Sequence, residues 1–104
     1  MQTETIRKID FEKLERAAEV LKTISHPVRL EVIEHLADAE PLCVGDLQSR
    51  LRTPVEQSML SHHLIKMKDK GLLACEKRGT HIYYRLADRS VLTMFDCLAK
   101  CTLL

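Results

Sequence analysis

Residues 57–86 constrain this chain more than any other stretch. They read Gln-Ser-Met-Leu-Ser-His-His-Leu-Ile-Lys-Met-Lys-Asp-Lys-Gly-Leu-Leu, then Ala-Cys-Glu-Lys-Arg-Gly-Thr-His-Ile-Tyr-Tyr-Arg-Leu. The first half is an amphipathic helix that opens on small polar groups. Met59, Leu60, Leu64 and Met67 recur at helical spacing as its inner stripe. Gly71 suits the left-handed residue that ends a helix. The second half reads as two strands, over 72–76 and 82–86, joined around Lys77, Arg78, Gly79 and Thr80. A helix sized for a major groove, followed by a β-wing with cations near its turn, is a device for reading duplex DNA.

The rest of the chain supplies a scaffold for that unit. Asp10 caps a first helix over 11–24, in which Phe11, Leu14, Ala17, Ala18, Leu21 and Ile24 recur at helical spacing. Pro27 opens a second helix over 27–39, and Glu40-Pro41 ends it. A short third helix over 44–51 precedes a turn at Arg52-Thr53-Pro54. The fourth runs from 54 or 56 to 70, and a last helix starts at Asp88 or Ser90. The expected class is mainly α with a small β-hairpin, in the order α-α-α-α-β-β-α. At 104 residues this is one domain, 1–104, for DNA binding and dimerisation.

Charge distribution says more than the net of +1. From 62 to 85 six cations (Lys66, Lys68, Lys70, Lys77, Arg78, Arg85) face two anions (Asp69, Glu76), a local net of +4. From 25 to 52 three cations meet five anions, a local net of −2. Such asymmetry suits a protein that shows one face to phosphate, although a solvated helix and strand give the same count. No apolar run approaches the roughly 20 residues of a membrane span, so no membrane partner is expected. Residues 1–10 are polar and charged, unlike a secretory signal, which points to the cytoplasm. No nucleophile–base–orienter set, Gly-rich phosphate loop or complete metal motif is present, so the chain does not read as an enzyme.

The third helix, the turn and the fourth helix form a helix-turn-helix, with double-stranded operator DNA as its expected partner. Gln57, Ser58, Ser61 and His62 occupy the start of the second helix, where base edges are read. Gln pairs bidentately with adenine, and Ser contacts a base or a phosphate. Lys66 and Lys68 lie further along and suit phosphate. Arg78, at the wing turn, suits phosphate or the minor groove. His63 reads better as a hydrogen-bonded packing residue. A different class also fits: winged helices bind proteins too, and such an interaction module would show neither specific duplex affinity nor salt dependence.

Several separated motifs resemble the ArsR/SmtB family of bacterial metal- and thiol-responsive repressors. They are Ile24-Ser25-His26-Pro27-Val28-Arg29-Leu30, Leu42-Cys43-Val44-Gly45-Asp46-Leu47, Ser58-Met59-Leu60-Ser61-His62-His63-Leu64, Lys70-Gly71-Leu72-Leu73, and Gly79 through Leu86. The resemblance covers nearly the whole chain. It implies a winged-helix homodimer, held through its first and last helices, that represses an operon until an inducer weakens DNA affinity. One departure is visible: the stretch from Gln48 to Pro54 is about two residues longer than the family's usual turn. Dimerisation also follows from the first and last helices themselves, which carry more apolar side chains than one small domain needs. Two-fold symmetry then predicts a pseudo-palindromic operator.

Four cysteines, at 43, 75, 97 and 101, bear on the inducer. The resemblance implies a sensor at the start of the third helix, where Cys43 is present but Gly45 fills the usual second cysteine position. The family's other recurring site is a zinc-type one on the last helix. There Asp88 matches and Cys101 falls at a ligand position, while Ser90 and Leu104 replace the other two ligands, so the standard zinc site reads as dismantled. Cys97 and Cys101, four apart on an expected helix, would share a face about 6 Å apart in rise. Cys43, Cys97, Cys101 and Asp88 are thus the candidate sensor residues. A thiophilic metal or metalloid ion is the candidate cofactor, and thiol redox or persulfide chemistry at the same cysteines is the alternative. Against both stands simple packing, since buried thiols are common. Cys75, on a wing strand, reads as structural, and His81 as a surface or phosphate-facing group.

Overall fold

The computed structural model describes residues 9–104. Residues 1–8 of the polar leader lie outside this range. Helix α1 spans Phe11–Ile24, with the Asp10 carboxylate accepting from the Lys13 N–H at its start. Helix α2 spans Pro27–Asp38. Pro27 sits in its first turn, and His26 Nδ1 accepts from the Val28 N–H at 3.1 Å. Strand β1, Leu42–Cys43, leads directly into helix α3, Val44–Arg50. Helix α4 spans Gln57–Asp69. Strands β2, Leu73–Arg78, and β3, His81–Leu86, form the wing. A 3₁₀ turn, Arg89–Val91, precedes helix α5, Leu92–Lys100.

This is a winged helix-turn-helix, with one element more than the sequence reading expected. β1 pairs antiparallel with β3, Leu42 opposite Tyr84 and Cys43 opposite Tyr83, so the hairpin becomes a three-stranded sheet in the order β1-β3-β2. Two residues carry too little periodicity to announce a strand. The turn between β2 and β3 places Gly79 at φ 62°, where an L side chain is strained.

α4 ends in a Schellman motif. The Leu72 N–H donates to the Met67 carbonyl and the Gly71 N–H to the Lys68 carbonyl, with Gly71 at φ 82°. That turn delivers the chain straight into β2, so the helix and the wing are placed by one short connection.

The core draws on every layer. Val28, Val32, Ile33 and Leu36 of α2 meet Leu47 of α3, Leu60, Leu64 and Met67 of α4, and Leu42, Leu73, Tyr84 and Leu86 of the sheet. The inner face of α4 differs from the expected stripe. Met59 is half exposed and His63 is buried in its place. α1 and α5 join this core only along one edge: Ile24 of α1 belongs to it and Leu92, Met94 and Phe95 of α5 pack against it, yet only Thr23 and Ile24 of α1 are buried and no residue of α5 is. Among the described residues, no helix is long and apolar enough to cross a membrane.

Candidate nucleic-acid interface

The core contacts of α4 fix which side it shows to solvent. With Leu60, His63, Leu64 and Met67 turned inward, helical geometry aims Ser58, His62 and Ile65 the opposite way and leaves Ser61 at the edge between the two faces. Gln57 begins the helix, exposed, and Lys66 and Lys68 flank the outward face. Ser58 and His62 are exposed, whereas Ser61 is half-buried. Gln57 also lines a cleft with Cys43, Val44, Thr80 and His81, so the start of the helix lies beside the wing turn. The two halves of the 57–86 run therefore converge on one surface.

Arg78 is more tightly held than a bare cation count suggests. Its Nε donates to Glu76 at 2.9 Å, and its guanidinium carbon lies 5.1 Å from the centre of the Tyr83 ring. The Arg78 hydrogen bond keeps the Glu76 carboxyl below its ordinary range, so the pair is ionic. Lys68 lies 3.7 Å from Asp69, an exposed ion pair.

Three polar contacts, two of them half-buried, hold α4 and the turn before it, and none has a local sequence signal. Glu31 Oε2 accepts from the Arg52 N–H at 2.8 Å, in the long turn before α4. That backbone hydrogen bond, helped by those from His35, Thr53 and the Arg52 side chain, pulls the Glu31 pKa down to about 2 against the opposing effect of burial. Gln48 Nε2 donates to the Val55 carbonyl at 2.9 Å, which closes the same turn from the α3 side. Thus the Glu31 and Gln48 side chains both bond the backbone of the turn before α4. Finally, Arg29 Nε donates to His63 Nδ1 at 2.9 Å, while the His26 ring lies 4.4 Å from that of His63. His63 is the hydrogen-bonded packing residue its position suggested.

The structure spreads the candidate sensor residues over separate places. Cys43 caps α3 at the wing-side cleft. Its N–H donates to the Asp46 carboxylate at 3.3 Å, and the Cys43 side chain first, then this N–H, hold that carboxyl below the usual range. Asp88 caps the 3₁₀ turn, accepting from the Ser90 N–H at 2.9 Å, which lowers its pKa. Cys97 is exposed on α5. Cys101 is half-buried one residue beyond that helix, and its N–H turns to the Leu98 carbonyl. Cys101 is thus the capping residue of α5, four residues after Cys97, rather than a residue inside the helix. All four cysteines are free and none is fully buried in the protomer; Cys75, read as structural, is exposed. Among the described residues, no three His, Cys, Asp or Glu side chains gather as a metal-holding set.

Comparison with known proteins places this geometry. Residues 24–76 match a family described as a helix-turn-helix domain. The transcriptional repressor PagR of Bacillus anthracis is 38% identical over 84 residues, 81% of this chain and 82% of PagR. Its crystal structure superposes with a TM-score of 0.71 at 35% identity, covering 86% of this chain and 99% of that one. The repressor SmtB of Mycobacterium tuberculosis is 35% identical over 77 residues, 74% of this chain and 55% of SmtB. A homodimeric winged helix-turn-helix DNA-binding domain from Mycobacterium bovis, described as a possible ArsR-family regulator, gives a TM-score of 0.69 at 26% identity. It covers 88% of this chain and 84% of that domain.

Proposed function

The chain belongs to the ArsR/SmtB family of winged-helix transcriptional regulators, and from that premise we propose that it is a homodimeric repressor, released from operator DNA by an inducer acting on its cysteines. The observation that carries the DNA-reading part is that Gln57, at the start of α4, lies beside the wing turn at Thr80 and His81, while Ser58 and His62 are exposed on the same helix and Ser61 is half-buried beside them. Lys66, Lys68 and Arg78 border these residues with positive charge suited to phosphate. PagR and SmtB, both repressors, support the sign of regulation.

The dimer rests on apolar surface left bare in the protomer. Phe11 is 72% exposed, Leu14 50%, Leu21 51% and Leu98 41%, all on the first and last helices. Apolar patches of that kind mark interaction sites. The homodimeric M. bovis domain supports the same arrangement. Two recognition helices would then meet successive turns of a pseudo-palindromic site.

For the inducer, a metal or metalloid ion is the first candidate, held by thiolates among Cys43, Cys97 and Cys101 with Asp88 as an oxygen donor. No such set assembles within one protomer among the described residues, so the partner must supply ligands. Thiol redox or persulfide modification is the second candidate. It needs only one accessible thiol, and Cys97 is free and exposed. Either inducer acts as a coupling free energy of about 1–3 kcal/mol between its site and the DNA site, roughly 5- to 150-fold in affinity.

Fluorescence anisotropy of the reduced protein on its own upstream promoter DNA tests these points. Titration with zinc, arsenite and an organic persulfide is done anaerobically. Release by zinc or arsenite, abolished by Cys97→Ser or Cys101→Ser, supports an ion sensor. Release by persulfide alone supports a thiol switch. DNA affinity unchanged by every one of these, with the dimer intact, removes the cysteine-based inducer. Absence of specific, salt-dependent duplex binding points instead to a protein-interaction module.

A further inference from the structure

Ile65 stands apart from its neighbours on the outward face of α4. It is 47% exposed and lies one turn beyond Ser61 and three residues beyond His62, on the side opposite Leu60, Leu64 and Met67. Ser58 and His62 on that face, and Ser61 at its edge, all carry hydrogen-bonding groups, and Lys66 and Lys68 flank it. A branched aliphatic side chain among them has no role in the protomer's core, and it does not sit on α1 or α5, where the dimer surface is expected.

We propose that Ile65 is a specificity-determining residue that reads the C5 methyl group of a thymine in the major groove. The proposal rests on the DNA-reading function argued above and deepens it. A side chain without donors or acceptors, pressed against a base edge, leaves the edge's polar groups unsatisfied unless it meets an apolar one. In unmodified DNA the major groove offers one such group, the thymine methyl. Ser61 and Ile65 are four residues apart, about 6 Å of helix rise, and base pairs are stacked about 3.4 Å apart. The thymine is therefore expected about two base-pair steps from the one Ser61 faces. Ile65 is stiff at χ1, so its methyl groups need little ordering on contact.

The test replaces each thymine of the promoter duplex in turn by deoxyuridine, which removes only the C5 methyl and keeps the pairing. Anisotropy is measured with the wild-type dimer, Ile65→Ala and Ile65→Val. Ile65→Ala is expected to fold normally, because the side chain is outside the core, and its thermal midpoint checks this. The wild type should lose roughly fourfold in affinity at one thymine per half-site, about what burial of one methyl group contributes. Ile65→Ala should be indifferent to that same exchange, and Ile65→Val should stay sensitive. Two outcomes overturn the proposal: a wild type that ignores every deoxyuridine while still preferring its promoter with a steep salt slope, or a methyl effect of equal size in Ile65→Ala. A wild type with neither promoter preference nor salt slope overturns the DNA-reading function itself, which is a different result.

Discussion

Arg29 donates from Nε to Nδ1 of His63 at 2.9 Å and, through its other arm, to the carbonyl of Thr23 at 2.7 Å. One guanidinium thus ties the last turn of α1, a helix expected at the dimer surface, to the inner face of α4, the helix proposed to read DNA. His63 is 5% exposed and accepts through a nitrogen that is free only in the neutral ring. The contact is a candidate route by which a change in dimer geometry reaches the recognition helix, because both ends hang on the same planar group.

Removing the guanidinium is expected to show both sides of that link. Arg29→Ala leaves a buried imidazole nitrogen without its donor, a loss of about 1–3 kcal/mol. Urea unfolding should report it as a lower midpoint with an unchanged slope. DNA affinity should fall beyond what the stability loss explains, since α4 loses a fixed point. Equal DNA affinity for folded Arg29→Ala and wild type would show that the contact serves stability alone.

The same contact predicts a pH dependence. Burial first, then the nearby His26, Arg29 and His62, push the His63 pKa below the ordinary value of 6.5. A histidine depressed in the folded state binds its proton more readily when unfolded. Stability is therefore full above about pH 6.5 and falls as pH drops below it, toward the lowered folded value. His63→Asn keeps an acceptor for Arg29 but cannot titrate. Its unfolding free energy should change less between pH 7 and pH 5 than that of the wild type. An identical pH slope for both proteins would assign the dependence to other groups.

The helices and the hairpin were legible because their apolar side chains repeat at 3.6 and at 2. The outward positions Gln57, Ser58 and His62 were legible for the same reason, as the complement of the inner face. His63 replaced Met59 on that inner face because Arg29, 34 residues away, makes a buried imidazole tolerable. Glu31 and Arg52, 21 residues apart, were hidden for a similar reason: a side chain that caps a distant backbone leaves no periodic mark. The end of the last helix was less legible: Cys101 caps α5 instead of lying inside it, and helix ends are what spacing locates worst.

Glu31 is the clearest of those hidden groups. Its side chain is only 10% exposed and accepts the Arg52 N–H in the turn that launches α4. Glu31→Ala is expected to cost about 1 kcal/mol and to weaken DNA binding through a looser start of α4. The wild type should also lose this contribution in acid. With a folded pKa of about 2 against an ordinary 4.5, it is full above pH 4.5 and disappears as pH falls toward 2. Hydrogen exchange at the Arg52 amide reads the contact directly. Protection unchanged in Glu31→Ala would mean that the turn holds without it.

Leu14 tests the dimer without touching the core. It is half exposed on α1 and lies outside the buried cluster. In a two-fold interface one substitution acts twice. Loss of a buried leucine on each side is worth about 3 kcal/mol or more in the dimer constant, at least a hundredfold. Leu14→Glu should therefore sediment as a folded monomer at concentrations where the wild type is dimeric, and should bind a full operator far more weakly. A dimer of wild-type strength would move the interface elsewhere.

The wing gives the sharpest electrostatic prediction. Arg78 is aimed by Tyr83 and Glu76, yet the Glu76 carboxylate brings a negative charge to the surface expected to meet phosphate. Glu76→Gln removes that charge while leaving an amide oxygen to accept from Arg78, so DNA affinity should rise, most at low salt, where screening is least. Arg78→Ala should lower affinity on all sequences alike. Each lost phosphate contact flattens the plot of log affinity against log salt by about one per site, so a dimer loses about two. Gln57→Ala should do the reverse: it lowers the preference for the promoter and leaves the salt slope unchanged, because a base contact releases no counterions. Salt titrations of the three variants on promoter and scrambled duplexes separate these roles. A salt slope that Arg78→Ala leaves untouched would place the wing off the DNA.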